Sequence, residues 1–319
     1  MSTELSPNIM MIGPTKAGKT TLLSVLRLAS LREMSNGRKV DIEPVSQEAK
    51  ELFRSSFYIT KTGQLNHPGT LQASKYIFNL HCPFTQRVKV ENIVETSFFG
   101  MKRKVDESYY EDRTMRKSFT LTVLDGRGGH VFGERSEGED KSEYERSRGE
   151  LIELAASSVA LIVCLNASDP KTTEFFFQGL LDFLDDVRAK AGRVPFERVV
   201  MVMTQADRLV EDLGNGAQIE LEQRNAAAAV SDAMGFFARS SLFQSLQPAT
   251  LSKIYAGWAS VYGFCPGEGS VNYDSKADRI AIYRENDAKW TDHWHPYGIV
   301  EPFLFACTGE PVNLVPMKK

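Results

Sequence analysis

Gly13, Gly18, Lys19 and Thr20 stand at the spacing Gly-x-x-x-x-Gly-Lys-[Ser/Thr]. Backbone N–H groups at that spacing can cradle phosphate. Gly13 permits a tight turn, and Gly18 lets the backbone approach an anion without a Cβ in the way. The amides of the loop, including those of Lys16 and Ala17, and the start of the following helix offer unpaired donors and a positive dipole end. Lys19 is expected to reach the β- and γ-phosphates of a nucleoside triphosphate, and Thr20 to place its hydroxyl on Mg²⁺. Lys16 reads equally as a phosphate contact or a solvated cation. Thr21 is either a first-turn helix residue or an α-phosphate contact.

Two further groups follow apolar runs. Asp125-Gly126-Arg127-Gly128 comes directly after residues 119–124. An acidic residue at the carboxyl end of a strand can hold Mg²⁺. The N–H of Gly128 can bond the γ-phosphate and so sense its presence. Thr204-Gln205-Ala206-Asp207 closes the run 199–203. A carboxylate at position 207 would accept from guanine N1–H and the exocyclic amine. Adenine has no matching donors, and polar pairing of this kind discriminates by about 10⁴ or more.

These residues need elements to hold them. Residues 9–12, 119–124, 159–165 and 198–203 read as buried parallel strands, with a fifth at 257–264. Helical periodicity covers 20–33, 150–157, 172–191 and 218–247. Alternating strand and helix implies an α/β fold, mainly a parallel sheet flanked by helices, with ligands bound beyond the carboxyl ends of the strands. Residues 83–117 interrupt the pattern as an insertion, expected as a hairpin or long loop on the sheet edge. Residues 133–149 hold almost no apolar side chain and are expected to be mobile without a partner or triphosphate.

Composition narrows the classes. A chain of 319 residues that is 42% hydrophobic can bury a substantial core. One domain over residues 1–319 is expected, with a core at about 8–265 and a C-terminal extension at about 266–319. A net charge of −3 gives no bulk reason to expect nucleic acid. No apolar run approaches the ~18 residues of a membrane span. The first seven residues lack the features of a signal peptide. Cys82, Cys164, Cys265 and Cys307 form no close pair, which fits a reducing cytoplasm.

Phosphate loop, Asp-x-x-Gly and Thr-x-x-Asp, in this order and each after a strand, resemble a P-loop GTPase of the Ras-like, translation-factor-related class. The resemblance covers roughly residues 8–265. Finer features are similar to the bacterial double-GTPase group of conflict-system gene clusters. They are Pro68-Gly69-Thr70 before a strand at 75–80, an enlarged second switch region, and the closing run 296–304. The resemblance implies a Ras-like fold with insertions at the sheet edge and in the second switch. It also implies GTP/GDP and Mg²⁺ as ligands, an effector or regulator protein, and room for a GTP-dependent dimer. A first-switch threonine should meet Mg²⁺ and the γ-phosphate. Thr70 is the choice, with Thr60 and Thr62 as rivals. A backbone N–H for guanine should come from residues 260–264.

Two positions depart from the family pattern. Gln205 replaces the lysine of the guanine motif, and its aliphatic stem could pack on the base. Gly129 replaces the water-orienting glutamine, with His130 one position late as the candidate for that role. Arg127, Arg135, Arg146 and Arg148 are candidates for an internal arginine finger. The expected activity is a guanine-nucleotide switch that hydrolyses GTP slowly without a partner. An ATPase or phosphotransferase, and a nucleotide-bound scaffold that never turns over, are the alternatives.

Overall fold

The computed structural model describes residues 8–14, 16–30, 41–65, 74–90, 93–98, 101–106, 108–125, 141–246, 254–285, 287 and 289–318. At its centre lies a sheet of eight strands, in the order β12-β9-β8-β7-β1-β6-β3-β2. The five inner strands are β9 (Ile254–Trp258), β8 (Arg198–Thr204), β7 (Ser158–Asn166), β1 (Asn8–Ile12) and β6 (Tyr109–Asp125). They are parallel to one another. Antiparallel pairings flank them: β12 (Val315–Pro316) on β9 at one side, and β3 (Ser74–Val90) on β6 and β2 (Asp41–Pro44) on β3 at the other. The α/β class with a mainly parallel sheet is therefore the observed one.

Strand alternation divides the core. Ile9 and Met11 of β1 face one layer, Met10 and Ile12 the other, and all four are essentially inaccessible. The first layer holds α1 (Lys19–Ser30), α2 (Gln47–Thr62) and α7 (Glu301–Thr308). The second holds α3 (Lys141–Ala156), α4 (Pro170–Ala191), α5 (Ala217–Gln223) and α6 (Ala226–Ser245). Local chemistry sets the helix starts. Ser46 accepts from the Ala49 amide at the start of α2. Asn225 accepts from Ala227 and Ala228 at the start of α6.

Several expected boundaries move. The fifth strand ends at Trp258, so residues 259–264 are loop. The helix expected at 218–247 is two helices, the second kinked at Gly235. The segment 141–149, expected to be mobile, is the first half of α3. The ribbon at 83–117 is a hairpin extension of β3 and β6, which stay paired from Ser74↔Asp125 to Val90↔Tyr109. A short hairpin, β4 (Ile93–Phe98) with β5 (Met101–Asp106), lies between them in sequence. The strand pattern was hidden there because a two-stranded ribbon beyond the core has no buried face to make its residues apolar.

Residues 266–319 join the body of the protein. The hairpin β10–β11 (Tyr273–Asp274 with Arg279–Ile280) is followed by Trp290 and Trp294, and then by α7 and β12. Ile280, Trp290, Trp294, Phe303, Leu304 and Phe305 belong to the same core as α1 and α2. Among the described residues, no helix is long and apolar enough to cross a membrane.

Candidate functional site

β1, β7 and β8 all end on one side of the sheet, and their outgoing loops meet there. Gly13 leaves β1 so close to β7 that an added Cβ would come 2.3 Å from the Cys164 carbonyl oxygen. Close approach, rather than turn geometry, is what requires glycine at this position. Gly18 does adopt a left-handed conformation, φ 72°, before α1 begins at Lys19. The side chain of Lys19 is buried, and its Nζ donates to the carbonyls of Gly13 and Pro14, each at 2.9 Å. The ammonium is thereby fixed over the mouth of the loop. Ala17 is buried, Lys16 is exposed, and Thr20 and Thr21 are half-buried in the first turn of α1. The first amides of α1 have no partner within the helix and point to the same side.

Thr204 and Gln205 hold this loop from the β8 side. The Thr204 hydroxyl lies 2.7 Å from the Ala17 carbonyl and 2.9 Å from that of Leu165, so its one proton ties the phosphate loop to the end of β7. The Gln205 amide donates to the Lys16 carbonyl at 3.0 Å. Gln205 thus spends its polar end on the phosphate loop. Its backbone is left-handed, φ 54°, which turns the chain into the short 3₁₀ helix Ala206–Leu209.

Asp207 lies in that turn, only 5% exposed. Burial raises its carboxyl pKa. A hydrogen bond from Ser260, its own backbone amide and the nearby Arg208 charge pull the other way. Ser260 is fully buried and also accepts from the Gly263 amide at 3.0 Å. The loop after β9 is tied in by backbone bonds, Ala206 N–H to Ala259 and Ala259 N–H to Met203.

Between these loops and α1 opens a cleft of about 200 Å³. Gly18, Thr21 and Leu22 line it from the glycine-rich loop and helix, Thr204, Gln205, Asp207 and Arg208 from the β8 side, and Ala259, Val261 and Tyr262 from the β9 side. Leu65, just past α2, closes it. Pockets for drug-sized ligands run to ~300–1,000 Å³. A space of this size suits one heteroaromatic ring system.

Gly13, Lys16, Ala17, Gly18, Lys19, Thr20, Thr21, Thr204, Gln205 and Asp207 thus lie in loops that meet beyond the ends of β1 and β8. Asp125 ends β6. The register Met11↔Val123 brings the chain at Asp125 level with Gly13 on the neighbouring strand. Thr70, Gly128, His130, Arg127 and Arg135 lie outside the described residues. Of the rival threonines, Thr60 and Thr62 both belong to α2, and the Thr62 hydroxyl donates back to Tyr58. Arg148 pairs with Asp186 of α4, its Nε 3.1 Å from the carboxylate, so this candidate finger braces two helices instead. Arg146 is exposed on α3. Among the described residues, no group of three or more His, Cys, Asp or Glu side chains could hold a metal ion.

Leu65 carries no motif and escapes a sequence reading. Within the expected stretch 260–264, Ser260, Val261 and Tyr262 reach the site. Phe264 turns away onto Tyr297, ring centroids 5.6 Å apart.

No protein-family model matches the chain, and no curated protein does. Among solved structures, the chain is similar to one of the signal recognition particle receptor SRb-GTP/SRX complex from Chaetomium thermophilum. The identity is 16%, the match covers 83% of this chain and 94% of that chain, and the TM-score is 0.33.

Proposed function

We propose that the chain binds guanine nucleotide with Mg²⁺ and hydrolyses GTP to GDP and phosphate, serving as a switch. The observation that carries this reading is the Asp207 carboxylate, buried on the wall of a base-sized cleft that adjoins the phosphate loop. Burying a carboxylate costs free energy unless a partner compensates it. Guanine N1–H and N2–H are such partners, and adenine offers neither.

The donors fit Mg²⁺, which takes hard oxygen ligands. The Thr20 hydroxyl and the Asp125 carboxylate would hold it, with Thr70 as the switch ligand. The chain on either side of Thr70 supports that choice, since Leu65 lines the cleft and Ser74 pairs with Asp125. Mg²⁺ held there would supply positive charge to offset the negative charge of the phosphates. Lys19 holds charge at the same place, and the loop amides orient the phosphates. Gly128 and Thr70 would be restrained only while the γ-phosphate remains, so hydrolysis frees both for an effector or regulator to read. His130 is the candidate to orient water. Its offset position predicts slow turnover in the absence of a partner.

Competition with a fluorescently labelled GDP tests the base. GTP should displace it far better than ATP, and Asp207→Ala should erase the difference. Gln205→Ala, which loses one hydrogen bond to the phosphate loop, should weaken GDP binding about three- to tenfold. Gln205→Lys, which can donate to the same carbonyl, should retain it. ATP competing as well as GTP, with Asp207→Ala silent, would point to an ATPase or phosphotransferase. Phosphate release no faster than that of Lys19→Ala would leave a scaffold that does not turn over.

A further inference from the structure

A helix that ends in solvent leaves its last carbonyls to water. At the carboxyl end of α2 the C-terminal part of the chain takes them instead. The indole N–H of Trp290 donates to the Thr60 carbonyl at 2.9 Å, and the Tyr283 hydroxyl donates to that of Lys61. The amide of Ile280 donates to Gly63 at 2.8 Å. Gly63 caps α2 in the left-handed region, and a Cβ on it would fall 2.7 Å from the Tyr283 ring. That ring therefore lies directly on the chain two residues before Leu65.

The contact continues to the opposite wall of the cleft. Tyr283 meets Trp290 edge-on at 5.4 Å between centroids, and Trp290 stacks on Trp294 at 5.8 Å with planes 29° apart. Trp294 is buried, and its N–H lies 3.1 Å from the carbonyls of both Val261 and Tyr262. One aromatic column thus joins the Leu65 side of the cleft to the Val261–Tyr262 side.

We propose that this column is part of the nucleotide site: Tyr283, Trp290 and Trp294 act as positioning residues that set the spacing of the two walls gripping the base. The proposal rests on the nucleotide reading above. Close-packed rings have no room to slide, so the column fixes the distance between segments that no strand pairing joins directly. It acts on the base end of the ligand. The phosphate loop is held separately, by Thr204 and Gln205. Ligands with and without a base should therefore respond differently when the column is weakened.

Trp294→Phe keeps an aromatic ring and removes the N–H. Tyr283→Phe removes the hydroxyl at the other end. Both variants and the unaltered protein are titrated with a fluorescently labelled GDP and with inorganic pyrophosphate, and unfolding is followed without ligand. Each variant should bind the labelled GDP about three- to tenfold more weakly, as expected for one lost hydrogen bond, with pyrophosphate affinity unchanged. Should Trp294→Phe not fold, Tyr283→Phe decides by the same two titrations. Variants that bind both ligands normally overturn the column's role and leave the nucleotide reading standing. Equal loss of both ligands also overturns it, since that is what a general loss of stability produces. If the unaltered protein binds pyrophosphate but not GDP, the nucleotide reading fails and the column's role with it.

Discussion

Thr204, Gln205 and Asp207 sit within four positions of one another and do three different jobs. Thr204 knits the phosphate loop to β7, Gln205 props the same loop from outside, and Asp207 faces the cleft with a charge that burial disfavours. Asp207 predicts a pH dependence with two opposite signs. Its folded pKa is raised above the ordinary 3.8, so the folded state keeps a proton that the unfolded chain has already lost. The carboxylate therefore lowers stability at neutral pH, and the penalty fades as pH falls through the raised value toward 3.8. Asp207→Asn should resist urea better than the unaltered protein at pH 7, with the advantage shrinking as pH approaches 4. Affinity for GDP should run the other way. It needs the carboxylate, and should weaken as acid neutralises it. Urea titrations and GDP titrations across that range measure the two separately.

At the scale of elements, the long ribbon is the feature least tied to the site. β2 covers β3 only as far as His81, and β1 reaches β6 only as far as Thr120. Beyond those points the ribbon extends past the core, and Tyr109 and Tyr110 are 53% and 61% exposed. Its pairs hold one another rather than the sheet. Replacing residues 87–112 with an Asn-Gly turn between Gln86 and Arg113, which face each other in register, should give a closed hairpin. The shortened protein should unfold within about 1 kcal/mol of the full chain, as expected for changes remote from the core. Its GDP affinity should be unaltered. A large loss in either measurement would mean that the ribbon supports the core or the cleft.

Across the whole molecule, segments far apart in the chain meet near the cleft. β1 and the phosphate loop come from the first residues described, while Trp290, Trp294 and α7 come from the last. Trp290, Trp294, Phe303, Leu304 and Phe305 are all buried. At about 1.5–3 kcal/mol for each buried large side chain, these five match the ~5–15 kcal/mol that holds a typical domain together. A chain ending at residue 265 should therefore show no cooperative unfolding transition by circular dichroism. A truncated chain that melts sharply would show that residues 266–319 are an appendage.

The residues proposed to bind phosphate and read the base were legible in the sequence because their motifs are local. A glycine-rich turn, a lysine and a hydroxyl at fixed spacing, or a carboxylate just past an apolar strand, carry their meaning in a few positions. The central parallel strands were legible for a related reason: burial on both faces leaves continuous apolar runs. Leu65 and the column from Tyr283 to Trp294 were not legible, and Ser260 and Tyr262 only as part of the stretch 260–264. Each acts through a partner far away in sequence, and an aromatic residue in a core reads the same whichever wall it supports. The same holds for Gly13, whose requirement for glycine comes from a carbonyl on β7. The sequence by itself determined the layered α/β plan and the motifs on which the nucleotide proposal rests. Only the tertiary structure decided which segments wall the cleft, because that depends on contacts between segments that no local pattern records.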